Sequence, residues 1–188
     1  MSFPAKSASL LIAKRVKDPA KNNSFDYKLL HLKRGSKMKW ANVLAYPGGK
    51  IEPQDNDYLH RIKDQSYLKN RETLEYGLAK LAALRETYEE AGLFFAKQDT
   101  NINDTLNHIE KLFELNGAVG KTPSFYDFAD FIEPFENPDI IEMIRLITVP
   151  QLKIRFNTQF FFTVATPDNC LNLPKRFQIG RASCRERV

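Results

Sequence analysis

The chain has 188 residues, 43% of them hydrophobic, which suits one soluble globular domain. Its formal charge is +5, which falls to +3 without the tail at 178–188, and a net charge this small gives no support to a nucleic-acid partner. Its longest early apolar run, residues 10–13, is too short for a signal peptide or a membrane span. Two cysteines and three histidines lack metal-ligand spacing, which argues against a disulfide framework or a zinc site. We expect an intracellular protein.

The first half of the chain is predicted to begin as a sheet, with strands near Ser9–Lys14, Lys28–Lys33 and Asn42–Tyr46. The third strand is expected to end in a glycine loop, Gly48-Gly49, which can offer backbone carbonyls to a metal ion. A short basic run follows the second strand, and it is either a solvated edge or a contact to phosphates. Its members are Lys33, Arg34, Lys37 and Lys39.

The next segment is polar over residues 56–73 and becomes a predicted helix over 74–91 that ends at Gly92. Three carboxylates share one face of this helix, whereas Leu74, Leu81, Leu84, Tyr88 and Ala91 share the other. The carboxylates are Glu86, Glu89 and Glu90. Clustered like charges are unfavourable, so a solvated face competes with a site for Mg²⁺ or Mn²⁺, which prefer oxygen ligands. The alanines at 79, 82 and 83 are expected to leave room for an ion and substrate.

The second half of the chain is predicted to contain both helices and strands. Residues 93–95 should re-enter the sheet, and an amphipathic helix is predicted over 103–116, closed by Gly117. A further helix is predicted at 124–131, an extended segment at 142–149 and a buried strand at 158–165. The pattern predicts the α/β class.

The tail at residues 178–188 looks like a translated sequencing adapter, so we expect it to be non-native. It contains three arginines and one glutamate, and its removal lowers the formal charge from +5 to +3.

The stretch Arg85-Glu86-Thr87-Tyr88-Glu89-Glu90-Ala91-Gly92-Leu93 resembles the second half of the box that defines the Nudix hydrolase family. The first half corresponds to Gly49 followed by Asp55, where the family has Glu. The chain departs from the family in two further respects. Thr87 stands at a usually aliphatic position, and 29 residues separate Asp55 from Arg85 where the family has seven. About 22 residues are therefore inserted, and we place the insertion at about 56–77.

A split box is similar to that of the peroxisomal acyl-coenzyme A diphosphatase branch of the family. A second passage agrees, because 146–150 and Arg155-Phe156-Asn157-Thr158-Gln159-Phe160-Phe161 are similar to motifs of that branch, with Asn157 in place of its Asp. The resemblance implies an α/β/α sandwich with a mixed sheet over residues 1–177. It also implies that this domain is truncated at its C-terminal end and lacks the branch's targeting tripeptide, so a peroxisomal location would rest on resemblance alone.

The resemblance also implies a function and its residues. Glu86, Glu89, Glu90 and the Gly48 carbonyl would hold Mg²⁺ or Mn²⁺ to hydrolyse a diphosphate linked to a nucleoside. Arg85 would complete the catalytic set by bracing Asp55 or, alternatively, Glu52, and Gly92 would be structural. Gly48, Gly49 and Arg155 would contact the substrate, although a strand-start Arg is more often a surface ion pair. A coenzyme A substrate would give 3′,5′-adenosine bisphosphate and an acyl-phosphopantetheine.

Two alternatives stay open. One is an enzyme of the same family for ADP-ribose, a dinucleoside polyphosphate or an oxidised nucleotide. The other is a noncatalytic binding module, or a truncated product too unstable to fold.

Overall fold

The structure is a computed structural model that describes residues 3–17, 25–35, 42–61, 71–96, 101–118, 123–127, 129, 137–172 and 185–187. Five strands come first in this part of the chain, followed by helices on either side of a short strand and then by four more strands. In order they are β1 (Ala5–Lys17), β2 (Phe25–Leu29), β3 (Leu32–Arg34), β4 (Leu44–Ala45), β5 (Gly48–Lys50), α1 (Pro53–Arg61), α2 (Arg71–Ala91), β6 (Leu93–Phe95), α3 (Ile102–Ala118), β7 (Ile141–Ile147), β8 (Phe156–Ala165), β9 (Cys170–Asn172) and β10 (Arg185–Arg187).

The main sheet is mixed, which confirms the predicted fold class. Its strand order is β2-β1-β8-β7, and β5 also pairs with β1. The long strand β1 is parallel to β8 and antiparallel to β2 and β5, while β7 is antiparallel to β8. Two smaller sheets have the orders β10-β3-β4 and β6-β9.

Helix α2 lies across one face of the main sheet. That face carries Leu10 of β1 and, directly opposite it, Phe161 of β8, and both side chains are fully buried. Tyr76 of α2 meets Phe161 edge to face, with ring centroids 5.7 Å apart. The core is completed by an aromatic cluster beyond α2, in which Tyr88 and Phe94 have ring centroids 4.3 Å apart. Aliphatic burial and aromatic contacts therefore fix α2 against the sheet.

Several predicted elements differ from those of the structure, and for the strands the reason is pairing between distant segments. The predicted strand 28–33 is two strands in different sheets, since β2 pairs with β1 and β3 pairs with β4. Residues 93–95 do form a strand, but it pairs with β9 instead of joining the main sheet. Helix α2 begins three residues before the predicted start at 74, and α3 continues through Gly117.

Other predictions fall partly or wholly outside the described residues. Residues 128, 130 and 131 of the predicted helix 124–131 do so, as do residues 178–184 and 188 of the tail. Residues 185–187 form β10, which pairs with β3. Any sequence can form such backbone bonds, so the non-native origin of the tail stays a prediction. Among the described residues, no helix is both long and apolar enough to cross a membrane.

Candidate active site

The predicted carboxylates lie on the last two turns of α2, where the sequence ends the helix sharply. Gly92 has a φ of 65°, in the left-handed region that glycine adopts at low cost, and its amide donates to the Tyr88 carbonyl at 2.8 Å. This cap ends α2 directly after Glu89 and Glu90. Glu86 and Glu90 lie beside the glycine segment Gly48-Gly49, and Glu89 contacts Arg85.

The glycine segment is a strand, not the loop that the sequence predicts. Gly49 pairs with Ala8 of β1, so the alternate residues Gly48 and Lys50 direct their backbone groups away from β1. Side chains of α2 satisfy these groups. The Gly48 amide donates to Glu90 Oε2 at 3.1 Å, and the Lys50 carbonyl accepts from Arg85 Nη2 at 2.9 Å. The Gly48 carbonyl shares the outward direction of the Gly48 amide.

Both glycines are required by close packing. A Cβ added to Gly48 would lie 2.5 Å from the Ala8 carbonyl oxygen, and one added to Gly49 would overlap the carboxylate of Glu86. The Glu86 side chain is thus seated directly on the Gly49 backbone. A larger residue at position 49 would have to displace that carboxylate.

Arg85 links helix α2 to the segment that contains Lys50 and Asp55. Its side chain is fully buried, with 1% exposed. Its Nε and Nη2 donate to the two oxygens of Asp55 at 3.0 and 3.3 Å, and its Nη1 donates to Glu86 and Glu89 at 3.0 and 3.3 Å. Burial by itself would lower the pKa of Arg85. The hydrogen bonds and charge of Asp55, with the charges of both glutamates, instead raise that pKa above its usual value. Arg85 therefore stays charged.

Asp55 is completely buried and accepts from three different residues. It occupies the third position of α1, from which Oδ2 accepts from the Glu52 amide at 2.7 Å, half of a capping box. Arg85 supplies the second partner, and the hydroxyl of Tyr126 donates to Oδ1 at 2.8 Å. Asp55 is thus the acid that contacts Arg85. Glu52 contributes its backbone amide instead of its carboxylate.

Tyr126 is a site residue that the sequence did not reveal. It lies 71 positions from Asp55, and its only sequence signal is its place in a predicted helix. Desolvation raises the pKa of Tyr126, and the adjacent charge of Asp55 raises it further. The phenol therefore stays protonated and donates to Asp55.

The glutamates do not form a freely solvated face, because only 14% of the Glu86 side chain and 17% of the Glu89 side chain are exposed. Their carboxylates are held by Arg85, while the Glu90 carboxylate is held by the Gly48 amide. In the described part of the chain, no group of three or more His, Cys, Asp or Glu side chains is arranged to hold a metal ion. The donors fit Mg²⁺ or Mn²⁺ in chemical type, since these ions prefer oxygen ligands.

The alanines of α2 do not leave room for a substrate, contrary to the sequence prediction. Residues 79, 82 and 83 are at most 2% exposed and belong to the hydrophobic core, because both flanks of α2 are covered. Thr87, which occupies the usually aliphatic position, is also buried. Its hydroxyl donates to the Ala83 carbonyl at 2.7 Å, so the polar atom is satisfied within the helix.

Arg155 lies at the connection between β7 and β8. Its Nε donates to the Thr148 carbonyl at 3.3 Å, across the connection between β7 and β8. Asn157, which replaces the carboxylate of the similar motif, accepts from Arg145 at 2.7 Å. Of the basic run, Lys33 and Arg34 lie on β3, and Lys37 and Lys39 are outside the described residues. Substrate contacts by Arg155 or by this run stay predictions.

The sequence matches no protein-family model and no curated protein. The structure is similar to that of a NUDIX hydrolase from Alicyclobacillus acidocaldarius, at 21% identity and a TM-score of 0.54, over 88% of this chain and 72% of that one. Lower TM-scores relate it to two other proteins. One is the NUDIX domain of Shewanella oneidensis NrtR complexed with ADP ribose, at a TM-score of 0.43 and 11% identity, over 100% of this chain and 73% of that one. The other is a mutT/nudix family protein from Listeria innocua, at a TM-score of 0.41 and 13% identity, over 99% of this chain and 79% of that one. The chain therefore has the fold of the NUDIX hydrolases.

Proposed function

We propose that this protein is a pyrophosphohydrolase that requires a divalent metal ion and cleaves small molecules containing a nucleoside diphosphate linkage. One observation supports this proposal above the others. A buried Arg85 holds Asp55 with one side of its guanidinium and two glutamates of α2 with the other. The two halves of the split motif thus meet in space although 29 residues separate Asp55 from Arg85.

Glu86, Glu89, Glu90 and the Gly48 carbonyl would hold Mg²⁺ or Mn²⁺. When bound, such an ion supplies Lewis-acid stabilisation of the diphosphate and lowers the pKa of an attacking water. Each carboxylate can accept a hydrogen bond and also bind a cation, because its two oxygens offer about four lone-pair sites. The bonds from Arg85 and from the Gly48 amide are therefore compatible with metal binding.

The residues of the chain would divide the remaining work. Arg85 orients Glu86 and Glu89 and offsets part of their mutual repulsion. Asp55 and Tyr126 fix the plane of the guanidinium, and the Gly49 backbone leaves the space that the Glu86 carboxylate occupies. Such preorganisation lets a site stabilise developing charge without rearranging during the reaction.

Coenzyme A or an acyl-coenzyme A is the substrate that we propose, with adenosine 3′,5′-bisphosphate and (acyl-)phosphopantetheine as products. The support is the insertion inside the motif together with the passages 146–150 and 155–161. A peroxisomal location is proposed on the same resemblance. ADP-ribose, dinucleoside polyphosphates and oxidised nucleotides are the competing substrates.

The test is a panel of these substrates with Mg²⁺ or Mn²⁺, with products identified by chromatography and mass spectrometry. We expect metal-dependent cleavage at the diphosphate, fastest for the coenzyme A compounds. Glu89→Gln and Glu90→Gln should each abolish turnover with little effect on folding. Glu72→Gln, at an exposed position of the same helix, is the matched control and should keep full activity. Unchanged turnover in either active-site variant would refute the assignment.

A noncatalytic binding module is the second candidate. In such a module the bonds that tie Glu86 and Glu89 to Arg85 would serve to fix α2 beside a nucleotide that is bound and not cleaved. Calorimetric titration separates the two functions. A binding module would show heat of nucleotide binding without product formation at any metal concentration, whereas the enzyme would consume its ligand.

A further inference from the structure

Strand β7 is an edge strand with an unusual surface. All seven of its residues are exposed, and within the described residues it pairs only with β8. Eight large apolar side chains of β7 and the segment after it are 40–57% exposed. They are Ile141, Met143, Ile144, Leu146, Ile147, Val149, Leu152 and Ile154.

Such an edge is a template for pairing with another strand. The unpaired amides and carbonyls of an edge strand favour further pairing, and proteins usually protect such edges with charges, proline or a covering element. Here five of the eight exposed apolar side chains stand on the strand itself, and contiguous exposed apolar surface of this kind marks an interaction site.

We propose that β7 pairs antiparallel with β7 of a second copy of this chain, around a two-fold axis perpendicular to the sheet. An isologous contact of this type requires a self-complementary surface. The strand provides one because of a β-bulge between Glu142 and Ile144. The extra residue at Met143 places Glu142 and Arg145 on the same face, opposite Phe161 and Gln159 of β8.

One register makes this surface complementary in both charge and apolarity. If Glu142 lies opposite Arg145 of the second copy, Ile141 lies opposite Leu146 of the second copy, and the symmetry repeats each pair. Ile141 and Leu146 also share a face, because their β8 partners Phe162 and Thr158 are four residues apart. Arg145 Nη2 lies 3.6 Å from Glu75 Oε2 of its own chain, and because its side chain is 46% exposed it can also contact Glu142 of the second copy. A sheet continuous through two copies results.

Sedimentation velocity of the full chain at micromolar concentration tests this proposal. The wild type should have twice the 21.7 kDa mass of one chain, and Ile144→Lys and Leu146→Lys should each shift it to the monomer mass. Tyr27→Lys is the matched control, because Tyr27 is 60% exposed on β2 at the opposite edge of the sheet. It should leave the dimer intact. A monomeric wild type, a dimer that persists in both β7 variants, or open-ended oligomers would overturn the proposal.

The register is tested by cysteine cross-linking in a chain that carries Cys170→Ser and Cys184→Ser. In the double variant Glu142→Cys, Arg145→Cys, opposite Cβ atoms would lie about 4.5–5.5 Å apart, close enough for oxidation to a disulfide. We expect a covalent dimer on a non-reducing gel for the double variant and none for either single variant. No cross-linked dimer, or equal cross-linking in a single variant, would contradict the register.

Discussion

Asp55→Asn tests whether the buried contact between Asp55 and Arg85 holds the two parts of the site together. Asp55 accepts from Arg85, the Glu52 amide and the Tyr126 hydroxyl, so its two oxygens meet only donors. An asparagine has one acceptor oxygen, and its NH₂ group would face at least one of these donors. The substitution therefore leaves a buried guanidinium with a weaker partner and a buried donor without an acceptor.

The magnitude follows from the burial of both groups, 1% exposed for Arg85 and 0% for Asp55. Removing one partner of a buried ion pair costs about 3–5 kcal/mol, because the other charge stays desolvated. Glu86 and Glu89 still contact Arg85, so we expect a loss near 3 kcal/mol, the lower end of about 3–5 kcal/mol. A loss of about 3 kcal/mol is a large part of the roughly 5–15 kcal/mol that stabilises a typical domain.

Urea unfolding followed by circular dichroism measures this loss, and thermal unfolding should show a Tm lowered by about 6–12 °C. The matched control is Asp57→Asn, at an exposed position of the same helix, which should change stability by less than about 0.5 kcal/mol. If Asp55→Asn costs no more than this control, Asp55 is not bound to Arg85 as the structure shows, and the proposed link between the two segments fails.

Three further predictions concern single groups. Gly49→Ala should lower turnover about tenfold or more, equivalent to about 1.4 kcal/mol, because its Cβ would displace the Glu86 carboxylate; unchanged steady-state rates would contradict this. Gly92→Ala should cost about 1–2 kcal/mol in thermal unfolding, since alanine is strained at a φ of 65°, and an unchanged Tm would be inconsistent with the cap. Burial lowers the pKa of Lys80 from 10.5 to about 8. The free energy of unfolding of the wild type, measured in urea, should therefore rise relative to that of Lys80→Met by on the order of 2–3 kcal/mol as the pH rises from about 8 to 10.5, because Lys80 stays protonated in that range only in the unfolded chain. The absence of this relative rise would refute the lowered pKa.

How much the sequence could predict depends on the range of the interaction. The helix that bears Glu86, Glu89 and Glu90 follows from periodicity and from Gly92, which are local signals. The strand at Gly48–Lys50 did not, because its pairing with β1 joins residues some 40 positions apart. Burial of the α2 alanines was likewise missed, since a helix covered on both flanks lacks the one-sided pattern that sequence reveals.

Contacts between residues that are far apart in the sequence could be predicted only in part. The resemblance paired Asp55 with Arg85, but no pattern connects either residue with Tyr126, whose hydroxyl completes the buried cluster. The exposed edge of β7 was missed for a similar reason. Its apolar run predicts an extended segment, whereas its exposure depends on its outermost position in the strand order, which is a property of the whole sheet.

The insertion inside the motif is compatible with an intact site because it lengthens the connection between Asp55 and Arg85 without removing the contact at its ends. This connection includes the rest of α1 and the first part of α2. Extending the connection between Asp55 and Arg85 from seven to 29 residues raises the loop-closure cost by about 1 kcal/mol, since each doubling of length costs about 0.6 kcal/mol. An increase of about 1 kcal/mol is small beside the roughly 5–15 kcal/mol that stabilises a typical domain. Helix α1 also places Asp55 next to Arg85. Although the Asp55 side chain is shorter than the Glu of the similar motif, its two oxygens still accept from Nε and Nη2 of Arg85. The tertiary contact, and not the spacing along the chain, therefore holds the two halves of the site together.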